Sequence, residues 1–316
     1  LEQIQAAEID VFPIKFGRSS LSPLDITVSL IQFLRFCRNW KPDLIHAIAL
    51  KPIIYSFLTS LYSKIPVLNM MTGLGFVFTS SSMKAKFIKP VINPILRLIL
   101  GNRNGKLIVL NKEDADWAKS NFRISPDQII ILPGVGIDTE RFHPGNQKNQ
   151  AFTLAYVGRM LKDKGLMELI ESVKILRQQG INFKLRLAGA PDPSNPESLS
   201  ESVIKEWHNC GLCEYVGHIA KVPEFLREAD AMVLPSYREG MPTCILEAAS
   251  TGIPCVATDV PGCREAVIDN LTGLLVPKQN SVALAEAIAK LANEPKLRAQ
   301  MGKNAREMVL NKYSKT

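Results

Sequence analysis

From end to end, short β-branched or apolar runs alternate with helix-length amphipathic segments. That pattern builds βαβ units and parallel sheets, and it excludes all-helical and antiparallel folds. In the first half the runs "IDVFPI" (9–14), "DLIHAI" (43–48), "PVLNMM" (66–71), "KLIVL" (106–110) and "QIIIL" (128–132) predict strands, with helices between them. "PGVGIDTERFHPGNQKNQ" (133–150) is rich in Gly, Pro and polar residues and reads as a connection. The alternation then restarts with strands at 152–158, 183–189, 214–218, 230–235, 254–258 and 272–277, and helices at 166–179, 199–209, 223–229 and 282–292. The expectation is an α/β chain of two doubly wound parallel-sheet domains, 1–147 and 148–316, facing a cleft.

The 316 residues, 46% apolar and 22% charged, suit a globular chain of two domains. Six cysteines are scattered, most of them inside apolar runs, so a disulfide framework is not expected and a reducing compartment is. Cys210 and Cys213 with His208 have no second close pair to complete a zinc site, so they read as a helix-to-strand turn. The chain opens on Leu1, and no charged-then-apolar leader or spanning segment is visible in it.

Charge is unevenly placed: residues 1–150 carry 18 Lys or Arg against 11 Asp or Glu, residues 151–316 carry 20 against 19. Between Asp43 and Glu113 there is no acid and there are nine basic residues, among them Lys84, Lys86, Lys89 and Arg97 beside Phe76, Phe78 and Phe87. A basic, aromatic-flanked face attracts anions. No nucleic-acid module is recognisable, and the neighbouring Ile and Leu favour an anionic lipid surface over nucleic acid. Pro90 and Pro94 argue against one straight helix over 83–100.

Ligands of open α/β sheets sit at the carboxyl ends of strands. In "VGRMLKDKG" a strand ends at Gly158, Arg159 follows, and Lys164 comes five residues later; a planar fork and a flexible ammonium together can hold a diphosphate. In "SYREGMPTCILEAASTGIP" Pro242 and Gly252 delimit a helix over about 242–251. Glu239 then lies in the loop above the helix N-terminus, and Glu247 projects from inside the helix. Gly240 lets the backbone approach a phosphate held by the helix N–H groups. Gly189, at another strand end, permits close approach by a base, and Glu265, three residues after Gly262, could cap a helix as easily as touch a ligand.

"YVGRMLKDKG", "VGH" and the run from "ADAMVLPSYREG" to "NLTGLLVP" strongly resemble the nucleotide-sugar domain of retaining glycosyltransferases of family 4, across residues 152–293. "KPDLIHAIALKPIIYS", "TGLGFVFTSS" and "ILPGVGIDTERFHP" look like the acceptor domain of bacterial members. The resemblance implies the GT-B fold, two Rossmann-like domains, and no metal or other cofactor. It implies that Arg159 and Lys164 bind the donor diphosphate, that Glu247 binds the ribose, and that Glu239 with the amides of Gly240, Met241 and Thr243 holds the donor sugar and phosphate. Glu239, Arg159 and Lys164 would be the catalytic set. Many members carry a histidine where this chain has Thr72, before Gly73; His46 is the alternative acceptor-side histidine. A strand, glycine-rich loop, helix and second strand would precede "IDVFPI" in such a domain, so the first domain reads as incomplete.

The resemblance points to transfer of an N-acetylhexosamine from a UDP-sugar to a lipid-linked or glycan acceptor in capsule or O-antigen synthesis. It implies a cytoplasmic enzyme peripheral on the inner face of the plasma membrane. A UDP-sugar epimerase or phosphorylase of the same architecture and a non-catalytic nucleotide-sugar-binding chain are the alternatives.

Overall fold

In the first half each strand run is followed by a helix-length segment that returns the chain to the same edge of a sheet, so neighbouring strands run parallel. The computed structural model describes residues 9–14, 22–73, 83–101, 105–145 and 151–315, with backbone alone at Pro23 and at residues 83–88. The elements are α1 (Pro23–Trp40), β1 (Ile45–Ile48), α2 (Leu50–Ser63), β2 (Val67–Met71), α3 (Met83–Leu100), β3 (Lys106–Val109), α4 (Lys112–Phe122) and β4 (Ile129–Ile131). The sheet order is β1-β2-β3-β4, all parallel.

The second half holds β5 (Thr153–Val157), α5 (Leu166–Gln178), β6 (Lys184–Ala188), α6 (Glu201–Asn209), β7 (Glu214–Gly217), α7 (Val222–Arg227), β8 (Ala231–Leu234), α8 (Thr243–Ser250), β9 (Cys255–Thr258), α9 (Pro261–Ala266), β10 (Gly273–Val276), α10 (Ser281–Asn293) and α11 (Pro295–Lys312). Its order is β10-β9-β8-β5-β6-β7, again all parallel. β8 and β9 are buried at every position, as central strands covered on both faces must be.

Side chains on β2 and β3 divide between two cores by strand alternation. Met71, Leu107 and Val109 belong to a cluster with Ile53, Leu96 and Phe122 in the first domain. Met70, Ile108 and Leu110, on the opposite face, belong to the large cluster of the second domain, which also contains Met241. The first sheet is thus welded to its neighbour by its own second face.

Two expectations need correction. Residues 9–14 form no strand: they are irregular and mostly exposed, and Phe12 stacks beside Phe36 and Trp40 of α1 instead. α3 runs through Pro90 and Pro94 as one continuous helix; neighbouring packing outweighs the two lost N–H donors. The connecting segment itself packs on the second domain. Ile137 N donates to Tyr313 O at 2.7 Å, Lys315 N donates to Ile137 O at 2.8 Å, and Phe142 is buried in the second core.

Cys210 and Cys213 stand at the two ends of the turn from α6 to β7, and the cysteines are free thiols. Among the described residues no cluster of His, Cys, Asp or Glu suits a metal ion, and no helix is long and apolar enough to cross a membrane.

Candidate functional site

The chain leaves β5 for β6 and β7 on one side, then returns to place β8 against the other side of β5. The carboxyl ends of β5 and β8 therefore flank the point where strand order reverses, the place where an open α/β sheet leaves a crevice. Arg159 and Lys164 follow β5, and Glu239 follows β8. Lys164 Nζ lies 2.5 Å from Glu239 Oε1, with the two side chains 19% and 12% exposed. Two of the expected catalytic groups, 75 residues apart, thus share a partly desolvated ion pair.

Backbone and side-chain bonds brace both loops. Tyr237 N donates to Asp163 O at 2.9 Å, and the Tyr237 hydroxyl donates to Glu168 at 2.7 Å. Burial raises the Asp163 carboxyl above its ordinary value, with Lys164 opposing. Arg159 faces the other side of β5: its Nη1 donates to Asp192 at 2.9 Å and its carbonyl accepts from the buried Tyr156 hydroxyl at 2.8 Å. The structure therefore joins Lys164 to Glu239 and leaves Arg159 on Asp192.

Gly189 ends β6 with φ +145°, and a Cβ there would lie 1.8 Å from Gly158 O. The demand for glycine comes from this neighbouring strand end, which is reason enough without a ligand.

α8 starts at Thr243, one residue later than predicted, with Pro242 at the N-cap. Thr243 is exposed, and the first-turn N–H groups of a helix lack intrahelical acceptors. Met241 is buried against Gly134, so its side chain fills the joint between domains while its backbone stays in the site loop. Glu247 is half-buried within α8; burial pushes its carboxyl up, and Arg141, from the connecting segment, pulls it back. Arg141 was not a sequence candidate, because a cation in a loop carries no signal of what it faces.

The first domain reaches this loop directly. A Cβ on Gly240 would sit 2.2 Å from Thr72 O, which is why only glycine fits, and Gly73 approaches Gly240 from the same turn. His46 does not reach the crevice. It is the second residue of β1, in register with Leu68, and Thr72 lies four positions beyond Leu68. At ~3.3 Å per residue that puts His46 about 13 Å behind Thr72 along the strand direction. It lines an apolar surface hollow of about 150 Å³ with Ile14, Phe33, Pro52 and Tyr55.

Three further residues at the joint escaped the sequence reading. Asn111 caps α4 by accepting from Asp114 N at 2.7 Å, and its Nδ2 donates to Asp114 Oδ2 at 3.0 Å and to Gly240 O at 2.9 Å. Asp114, almost fully buried, pairs with Arg238. "NKED" after a strand is an ordinary N-cap signature, and that local explanation hides the distant partner.

Residues 137–308, more than half of the chain, match the family described as glycosyl transferases group 1. The chain belongs to that family. Residues 2–108 match the glycosyl transferase 4-like family. One relative is N,N'-diacetylbacillosaminyl-diphospho-undecaprenol alpha-1,3-N-acetylgalactosaminyltransferase of Campylobacter jejuni, 28% identical over 323 residues, 98% of this chain and 83% of the relative. Sucrose-phosphate synthase from Thermosynechococcus elongatus shares the fold with a TM-score of 0.80 at 23% identity, over 96% of this chain and 77% of that one. The Anabaena protein HepE, in complex with UDP and glucose, superposes with a TM-score of 0.79 at 17% identity, over 99% and 84%. This protein is a glycosyltransferase of family 4 type with the GT-B fold.

Proposed function

We propose that this glycosyltransferase moves an N-acetylhexosamine from a UDP-sugar to a hydroxyl of a lipid-linked diphosphate acceptor in bacterial surface-glycan synthesis, with retention and without a metal. The observation that carries the reading is the Lys164–Glu239 pair at the strand-order reversal, hung over the first turn of α8. A donor diphosphate would compete for Lys164, drawing its ammonium off Glu239. The released carboxylate could then accept hydrogen bonds from donor-sugar hydroxyls. Lys164 and the α8 amides would stabilise charge building on the leaving diphosphate, which is electrostatic catalysis by pre-aimed groups. In front-face attack the leaving phosphate oxygen takes the acceptor proton, so no side-chain base is required.

The relative from Campylobacter jejuni is named for a diphospho-undecaprenol acceptor and N-acetylgalactosaminyl transfer, and HepE for UDP and glucose. The first name fits the proposed sugar and acceptor, and the UDP complex fits a UDP-linked donor. The acid-free basic stretch and the exposed Val91, Ile95 and Leu98 of α3 favour docking of the first domain on an anionic bilayer at the cytoplasmic face.

The test is sugar transfer from UDP-N-acetylhexosamines to a lipid diphosphate-linked sugar, with EDTA present, by wild type, Lys164→Ala and Glu239→Ala. Each variant is expected to lose about a hundredfold or more in kcat, the scale of removing one transition-state donor. Undiminished turnover in both would sink the assignment. UDP-sugar consumption without acceptor and with a C2-inverted product would favour the epimerase instead.

A further inference from the structure

Arg238 immediately precedes Glu239, so whatever fixes Arg238 fixes the direction of the next carboxylate. Its partner is Asp114, 124 residues away in the other domain, whose side chain is 2% exposed. A carboxylate so deeply buried is costly unless it is paired and hydrogen-bonded, and here Arg238 and the Asn111 amide supply both conditions. Asn111 does more than a cap needs. Serine or aspartate would accept from Asp114 N equally well, but the longer asparagine amide accepts there and also donates to Gly240 O.

We infer that Asn111 and Asp114 are positioning residues for the site loop Arg238–Gly240, which takes its reacting shape only when the first domain is docked on it. This rests on the glycosyl-transfer reading above. Three contacts converge on the loop from the first domain: the Asp114 carboxylate on Arg238, the Asn111 amide on the Gly240 carbonyl, and the Thr72 carbonyl against the Gly240 Cα. Lys164 holds Glu239 from the other side, within the second domain. The neighbouring Glu113–Arg264 pair also spans the domains, but its side chains are 53% and 41% exposed, so solvent screens it and the buried set carries the coupling.

The arrangement separates binding from turnover. Arg159, Lys164 and Glu247 all lie in the second domain and need nothing from Asn111 or Asp114 to meet a nucleotide diphosphate. Glu239 needs them to be aimed. A donor can therefore be bound while the loop is unaimed and react only once Asn111 and Asp114 hold it, which would limit wasteful hydrolysis.

The experiment compares the full chain with Asp114→Asn, Asn111→Ser, Arg238→Met and the double Asp114→Asn/Arg238→Met. Asn111→Ser keeps a cap and the Asp114–Arg238 pair while removing the amide that donates to Gly240 O and Asp114 Oδ2, so it remains informative if a change at the buried Asp114 unfolds the chain. Calorimetry with UDP is expected to give affinities within about twofold of wild type, the spread of uncoupled sites. In the transfer assay kcat is expected to fall about tenfold to a hundredfold in both single first-domain variants, the loss of one charge-assisted or buried hydrogen bond. Asp114→Asn should add nothing to Arg238→Met. Wild-type kcat, UDP affinity falling in step with kcat, or additive losses in the double variant would each overturn the inference. Hydrogen exchange at the amides of residues 238–241 gives a readout without turnover, expected to quicken in Asn111→Ser. If wild type transfers no sugar, the glycosyl-transfer reading fails, and exchange still decides the loop: faster exchange supports the coupling and unchanged exchange overturns it.

Discussion

Glu247 sits inside α8 with much of its side chain out of solvent, and burial raises its carboxyl above the ordinary 4.5 against the pull of Arg141. Accepting two hydrogen bonds from a ribose diol uses the charged form. The KM for donor is therefore expected to rise as pH falls through the raised value, at a higher pH than an ordinary glutamate would allow. Glu247→Gln should raise KM about five- to tenfold at neutral pH, the difference between a charged and a neutral acceptor, and flatten that acid limb; initial rates across pH measure both. The folding linkage has the other sign. A carboxyl whose folded pKa is raised contributes stability below its unfolded value and loses it as pH rises through the folded one. Neither Glu247 nor Asp114, raised by the same cause, drives acid unfolding. Arg159, Lys164 and Glu239 could be singled out as candidates because they follow strands of a parallel sheet, and Glu247 because it lies in the helix after one of them. Their pairing could not be read: the sequence places both cations with a diphosphate, but Lys164 bonds Glu239 while Arg159 bonds Asp192.

At the scale of elements, α3 carries Val91, Ile95 and Leu98 at spacings of four and three, which align on one face. They are 61%, 37% and 68% exposed, beside the exposed Lys89. The opposite side packs inward through Leu96, Ile99 and Leu100. Such a helix lies well in a lipid interface. Val91→Asp/Leu98→Asp is expected to abolish sedimentation with vesicles containing anionic lipid while leaving UDP affinity intact; co-sedimentation at low and high salt measures it. The strands after 43 fall within a residue or two of their sequence limits because period and flanking turns define them locally. "IDVFPI" has the same composition, yet a strand exists only where a neighbour accepts its hydrogen bonds, which no local pattern encodes. The prolines of α3 mislead for a related reason, since tertiary contacts decide whether a helix survives them. Asn111 and Asp114 are explained locally by their cap, so nothing in their own segment pointed to Arg238.

Over the whole molecule, the connecting segment is clasped by the chain's far end. Arg306 of α11 donates to the carbonyls of Phe142 and Ser250, and Ser250 Oγ donates to Phe142 O at 2.5 Å. Ile137 pairs with Ser314 as an isolated parallel bridge. Arg306→Ala is expected to cost about 1.5–3 kcal/mol, the range for hydrogen bonds from a charged donor, read as a lower urea midpoint with an unchanged m-value. The two-domain plan was readable from the restart of alternation after residue 150. The clasp was not, because its acceptors are backbone carbonyls that every residue carries. Met70, Ile108 and Leu110 lend a face of the first sheet to the second domain's apolar cluster, so melting either half exposes side chains that the other half was covering. A single calorimetric peak is therefore expected on heating, the two halves unfolding as one cooperative unit.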